Sequence, residues 1–453
     1  MKQTALAATL MCAAMLPAAL TAASAQTMTT FNGLSVLPGK IIPGRGQVLT
    51  PASSLEAPGD IGRRAHTHYK IFASDAKLDN NVSTLQLVSN SPDANTPASV
   101  ACIYGLVRQT HGCDPRVVLK TARGGSQVIA IVDAFHNPTA LADLQRFSTD
   151  LGLPAPRLEV VFCTSSTDPT PRCATNVTPP SIDQGWAGEI ALDVQWAHAM
   201  APRAKIILVE AFSSSFNNLL MAEDAAARLV ARAGGGEVSN SWGGSEFSQQ
   251  TGFDSHFSRK GVVFFASTGD HKCSGGGDQC PDVNWPSTSP NVVGVGGTSI
   301  TRSAKGAYRT QSSWIDGGGG LSSVYSRPKF QNAVKGRVGT ARGVPDVSAL
   351  ADPETGAFVF CSAGTCGSSG GYFLFGGTSL ASPIVAALTN AAGTFRQSSN
   401  AQNTFQYPEL GSASFLDVKT GQCINGPGGT QVNALSGWDV CSGIGAPVDL
   451  SGF

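Results

Sequence analysis

The sequence predicts a doubly wound α/β fold, with a mostly parallel sheet and helices on both of its faces. Two observations carry this. Short apolar runs recur without polar alternation, as strands buried on both faces require. Helical segments separate them, as parallel connections require. Residues 126–133, 158–162, 204–209, 238–242 and 261–266 read as the strands. Residues 139–151, 186–200 and 217–233 read as helices, the last closed by Gly234, Gly235 and Gly236. A small-residue helix is expected over 379–392, and no repeat of solenoid length is present.

The chain has 453 residues, 42% hydrophobic and only 14% charged, enough to fill a large core. Its 31 basic and 31 acidic residues balance. That leaves no electrostatic case for nucleic acid or an anionic membrane as partner. Lys2, an apolar run over 5–20 and the small residues Ala23, Ser24 and Ala25 read as a secretory signal over 1–25. Export to the extracellular space or a periplasm follows, with no membrane attachment after signal cleavage. Of 11 cysteines, Cys12 falls in the signal. The other ten fall into close neighbours: Cys102 and Cys113, Cys163 and Cys173, Cys273 and Cys280, Cys361 and Cys366, Cys423 and Cys441. In an exported chain this suggests five local disulfides. Residues 26–95 are rich in Pro, Ser, Thr and Asn, weakly periodic and free of cysteine, and read as a leader. Residues 93–97 read as its exposed linker. Residues 96–453 read as one large catalytic domain.

The strongest chemical signal is GGTSLASP at 376–383. Glycines before Ser379 permit a tight turn, and a serine at a helix start feels the positive end of the dipole. Pro383, tolerable only in a first turn, places the helix start near Ser379. A serine nucleophile needs a base. Glu189 and Asp193 stand four residues apart, on one helical face with Trp186, Trp196 and Met200. No Lys or Arg lies between Arg172 and Arg203 to neutralise them. Two carboxyls buried together keep a proton between them, with a raised apparent pKa that belongs to the pair. Asp270 follows an apolar strand at 264–266 through a glycine turn, where α/β sheets build their sites. Near the C-terminus, Asp417 and Asp439 flank a glycine-rich loop and suit a hard cation.

These motifs resemble the sedolisin (serine-carboxyl peptidase) family. The matches are GEIALD at 188–193, SNSWG at 239–243, ASTGD at 266–270, WPSTSPNVVGVGGT at 285–298, GGTSLASP at 376–383, and DV at 417–418 with GWDVCSGIG at 437–445. The resemblance implies a subtilisin-like fold and acid-favouring endopeptidase activity on protein or peptide substrates, by a monomer held as a zymogen. It makes Ser379 the nucleophile, Glu189 the general base and then acid, and Asp193 the residue that holds Glu189. Asp270, protonated, would donate to the oxyanion beside the Ser379 N–H. Asp133 and Trp242 match positions that extend the surrounding hydrogen-bond network. One Ca²⁺ would be held by the side chains of Asp417 and Asp439 and the carbonyls of Val418, Leu435 and Gly437. At 70 residues the leader is shorter than the folded pro-domain usual in such proteins.

Two other readings remain. A Ser-His-Asp enzyme would need a histidine in a suitable motif. None of His66, His68, His111, His136, His198, His256 and His271 stands in one. A non-catalytic exported binding or adhesion protein on a peptidase scaffold would lack a complete set of catalytic residues.

Overall fold

The computed structural model describes residues 27–57, 59–74, 93–270, 283–425 and 430–453. The signal segment and the expected Cys273 and Cys280 pair lie outside them. At the centre, strands Val293–Arg302, Val262–Ser267, Gly236–Asn240, Val128–Ala134, Lys205–Ala211 and Leu158–Cys163 lie side by side in that order, all parallel. Antiparallel strands Tyr308–Ser313 and Cys173–Ala174 close the two ends.

Every residue of Val128–Ala134 is buried, which explains the unbroken apolar run. Ile129 and Ile131 pack into the core shared with the helices Gln184–Met200 and Thr378–Ala392. Ala130 and Val132 pack on the other face, with the helix Phe216–Arg232. The sheet is thus covered on both sides. Four disulfides form among the described residues: Cys102 to Cys113, Cys163 to Cys173, Cys361 to Cys366 and Cys423 to Cys441.

The described part of residues 26–95, expected as a leader, is knit into the rest of the chain. Strands Thr29–Phe31, Leu34–Ile42, Gly46–Pro51 and Lys70–Ser74 form a six-stranded antiparallel sheet with Gly371–Gly376 and Ala357–Cys361. Residues 93–97, expected as an exposed linker, are mostly inside: Ala94, Asn95, Thr96 and Pro97 are buried. Thr96 caps the helix Pro97–Ile103 by exchanging hydrogen bonds with Ser99. The polar composition that reads as linker is there a helix cap.

Candidate active site

Two helices bring the carboxyl pair and the serine together. Asp183 caps Gln184–Met200 by accepting from the Trp186 N–H. The helix runs through the core, with Glu189 and Asp193 both 0% exposed. Gly377, at φ +113°, turns the chain into Thr378–Ala392. A methyl carbon on Gly377 would lie 2.2 Å from the His68 carbonyl oxygen and 2.3 Å from Asp270 Oδ2, so only glycine fits.

Pro383 sits in the second turn rather than the first, because the helix begins at Thr378. Proline cannot donate to the carbonyl four residues back, which is that of Ser379. The Ser241 hydroxyl lies 3.2 Å from that oxygen and 2.8 Å from Asp193 Oδ1. Ser241 thereby ties the serine helix to the acid helix. SNSWG contains it, but the sequence alone offered no sign of this role.

Ser379 Oγ donates to Glu189 Oε2 at 2.9 Å. Burial pushes the Glu189 carboxyl well above the carboxylate range, and the charges of Asp193 and Asp133 add to this, while the Ser379 hydrogen bond opposes it. Asp193 is raised by burial as well, against hydrogen bonds from Ser241 and Glu189. Among the described residues Glu189 Oε1 and Asp193 Oδ2 have no ordinary donor. A proton shared between the two carboxyls satisfies both.

Asp270 Oδ1 accepts from the Thr378 N–H at 2.7 Å and the Thr378 hydroxyl at 2.8 Å. Oδ2 has no partner among the described residues. Burial raises this carboxyl to about 7, although Lys70 and Thr378 draw it down. At acidic pH it carries a proton on the side of the His68 carbonyl.

Asp133 and Trp242 stand apart from the expected network. Among the described residues neither Asp133 oxygen has a hydrogen-bond partner, and the Trp242 indole donates to the Val132 carbonyl at 2.9 Å. Asp133 acts instead as a buried carboxyl, raised by burial and by the charges of Asp193 and Glu210.

The leader crosses this site, and nothing in its sequence marked that. Strand His66–Thr67 pairs antiparallel with Trp242–Ser245. The His68 N–H lies 3.1 Å from Ser379 Oγ, and the His68 carbonyl accepts from the Ser379 N–H at 3.0 Å. The chain continues into Lys70–Ser74, paired antiparallel with Gly371–Gly376. The peptide bond after His68 therefore lies at the serine with its carbonyl oxygen on a main-chain donor.

At the C-terminal loop, both Asp417 oxygens accept from the Gly437 N–H at 3.1 Å. Asp439 accepts from the N–H groups of Leu435, Cys441 and Ser442. Among the described residues no three His, Cys, Asp or Glu side chains cluster as metal ligands. An ion here would draw on two carboxylates and turn carbonyls. That donor set fits Ca²⁺. Burial raises the Asp439 carboxyl, the condition a nearby cation relieves. Lys419 reaches Asp417 at 3.3 Å.

Comparison with known proteins agrees with this geometry. A family model described as the subtilase family matches residues 185–403. A solved structure of Pseudomonas sedolisin (serine-carboxyl proteinase) complexed with two molecules of pseudo-iodotyrostatin superposes with a TM-score of 0.60 at 27% identity, covering 78% of this chain and 95% of that one. The fold is thus the subtilisin-like α/β fold, carrying a serine with a carboxyl partner. Kumamolisin of Bacillus sp. (strain MN-32) is 29% identical over 387 residues, or 80% of this chain and 63% of that protein. Sedolisin of Pseudomonas sp. (strain 101) is 35% identical over 213 residues, or 41% of this chain and 33% of its own. The chain spans less than two thirds of the length of these curated relatives. In sequence and in fold it is similar to these sedolisin-type proteins.

Proposed function

We propose that this chain is a secreted serine-type endopeptidase, made as a zymogen and favoured by acid. It would hydrolyse protein or peptide substrates as a monomer, through an acyl-enzyme. The observation that carries this reading is the main-chain segment laid across Ser379, its His68 carbonyl on the Ser379 N–H while Ser379 Oγ donates to Glu189. Four disulfides among the described residues accord with an oxidising compartment. No described helix is long and apolar enough to cross a membrane.

Ser379 Oγ attacks the carbonyl carbon as Glu189 takes its proton. The oxyanion is held by the Ser379 N–H and by protonated Asp270. Glu189 returns the proton to the leaving amine. Water then enters by the same route and releases the acid. Asp193, fixed by Ser241, orients Glu189 and shares its proton. Glu189 must be able to accept a proton while Asp270 keeps one, which confines activity to acidic pH.

Residues 26–95 act on this reading as the inhibitory leader, and the bond between His68 and Tyr69 is cut first, in cis. Incubating the purified full chain from about pH 3 to 7 tests this, with N-terminal sequencing of the products and a denatured protein as substrate. Expected are a fragment beginning at Tyr69 and hydrolysis that fades toward neutrality. A chain that cuts neither itself nor substrate at any pH would return the reading to a non-catalytic binding protein.

Ca²⁺ would be held by Asp417 and Asp439 with the carbonyls of Val418, Leu435 and Gly437, tying two loop segments together. We expect chelation to lower the melting temperature by about 3–5 °C, as loss of a native-state ligand should. Melting unchanged after thorough metal removal would sink the assignment.

A further inference from the structure

The leader enters the cleft as a substrate would, so the pockets holding its side chains report which side chains the cleft accepts. This rests on the peptidase reading above. The His68 ring meets the Ser267 hydroxyl at 2.7 Å, and the Tyr69 hydroxyl donates to the Gly185 carbonyl at 2.9 Å. Both partners are uncharged, a hydroxyl and a carbonyl.

Lys70 differs. It is the second residue beyond the bond at Ser379, and its backbone is paired with Gly376. Its side chain is 1% exposed. The ammonium lies 2.7 Å from Asp316 Oδ2 and 5.3 Å from the centre of the Trp314 ring. Both partners belong to a turn fixed beside the oxyanion site. The Trp314 N–H donates to Gly297, Gly317 bridges to Asp270, and the Gly318 N–H donates to Gly269. Gly297 makes room for the indole, since a methyl carbon there would come within 3.0 Å of Trp314 Cε3. A carboxylate beside an aromatic face in a closed cleft is complementary to one class of side chain, a cation. An apolar occupant would forgo this ion pair, and the Asp316 carboxylate would repel an acidic one.

We propose that Asp316, with Trp314, forms a cation-selecting subsite, and that this enzyme prefers substrates with Lys or Arg at the second residue after the cleaved bond. Asp316 is a specificity residue here, not a participant in the chemistry.

Internally quenched peptides that copy residues 66–72 test this, with Lys, Arg, Met or Glu at the Lys70 position. Each is assayed with the self-processed protein and with its Asp316→Asn variant. We expect kcat/KM for Lys and Arg to exceed that for Met by about tenfold or more, with Glu the poorest. In Asp316→Asn the Lys to Met ratio should fall to near unity. Equal rates for Lys and Met in the unaltered protein would overturn the proposal, whatever the variant does. A preference that survives Asp316→Asn would overturn the assignment to Asp316. Cleavage without preference leaves the peptidase reading standing. No cleavage of any peptide sinks that reading, and this inference with it.

Discussion

Replacing Ser379 with alanine is expected to abolish hydrolysis, with kcat falling about 10⁶-fold, and to leave the chain uncut between His68 and Tyr69. The hydroxyl donates to Glu189 and lies 3.1 Å from the His68 N–H, beside the peptide bond to be cut. Without it Glu189 has no nucleophile to activate, and the main-chain N–H that receives the oxyanion has nothing to act on. The fold should survive. Ser379 is fully buried, but Glu189 Oε2 keeps the His68 N–H as a donor at 3.3 Å. Gel analysis and mass spectrometry of the purified variant, alone at acidic pH, read the result. A Ser379→Ala chain that still yields a fragment beginning at Tyr69 in isolation would show that another group is the nucleophile.

Asp270 carries the second large effect, and its two substitutions should part company. Asp270→Ala removes one oxyanion donor and should cost about 10²–10³ in kcat. Asp270→Asn keeps the acceptor that Thr378 bonds and places an amide N–H where the acid proton stood. That donor does not titrate. In the unaltered protein Asp270 donates only while protonated, and it loses the proton as pH rises through about 7. The asparagine variant should therefore stay within about tenfold of the parent at acidic pH, and hold its activity further into the alkaline range. A pH profile of kcat for the three proteins decides this. If Asp270→Asn is as inactive as Asp270→Ala, or keeps the parent's upper limb, Asp270 is not the oxyanion donor.

The proposed acid preference shows how far composition can mislead. Equal numbers of acidic and basic residues give no hint of it. The fold, however, buries several carboxyls. Burial raises Asp352 to about 6, Asp270 to about 7 and Glu237 to about 8, with Glu223 also well above its usual range. A group raised on folding supports the folded state fully below its unfolded value, near 4. That support drains away as pH climbs through the folded value. For these residues the loss runs from weakly acidic pH to about 8. Which carboxyls are buried is a property of the packing, so no count could supply it.

What the sequence determined by itself is local. Unbroken apolar runs marked the central strands, and helical spacing marked the two helices that meet at Ser379, because both patterns repeat within a few residues. Glu189 and Asp193 were legible for the same reason, one turn apart on a segment without cations. Pairs of nearby cysteines gave the four disulfides among the described residues. Tertiary structure alone decided everything that depends on distant residues meeting. It joined Ser379 to Glu189 across 190 positions and set the His68 N–H against that serine across 311. It left Asp133 without a hydrogen bond among the described residues and brought Lys70 to Asp316. It also drew a polar, weakly periodic leader into the sheet that ends at the nucleophile. Strand pairing is made by main-chain groups that every residue carries, so side-chain pattern does not reveal which strand will accept another.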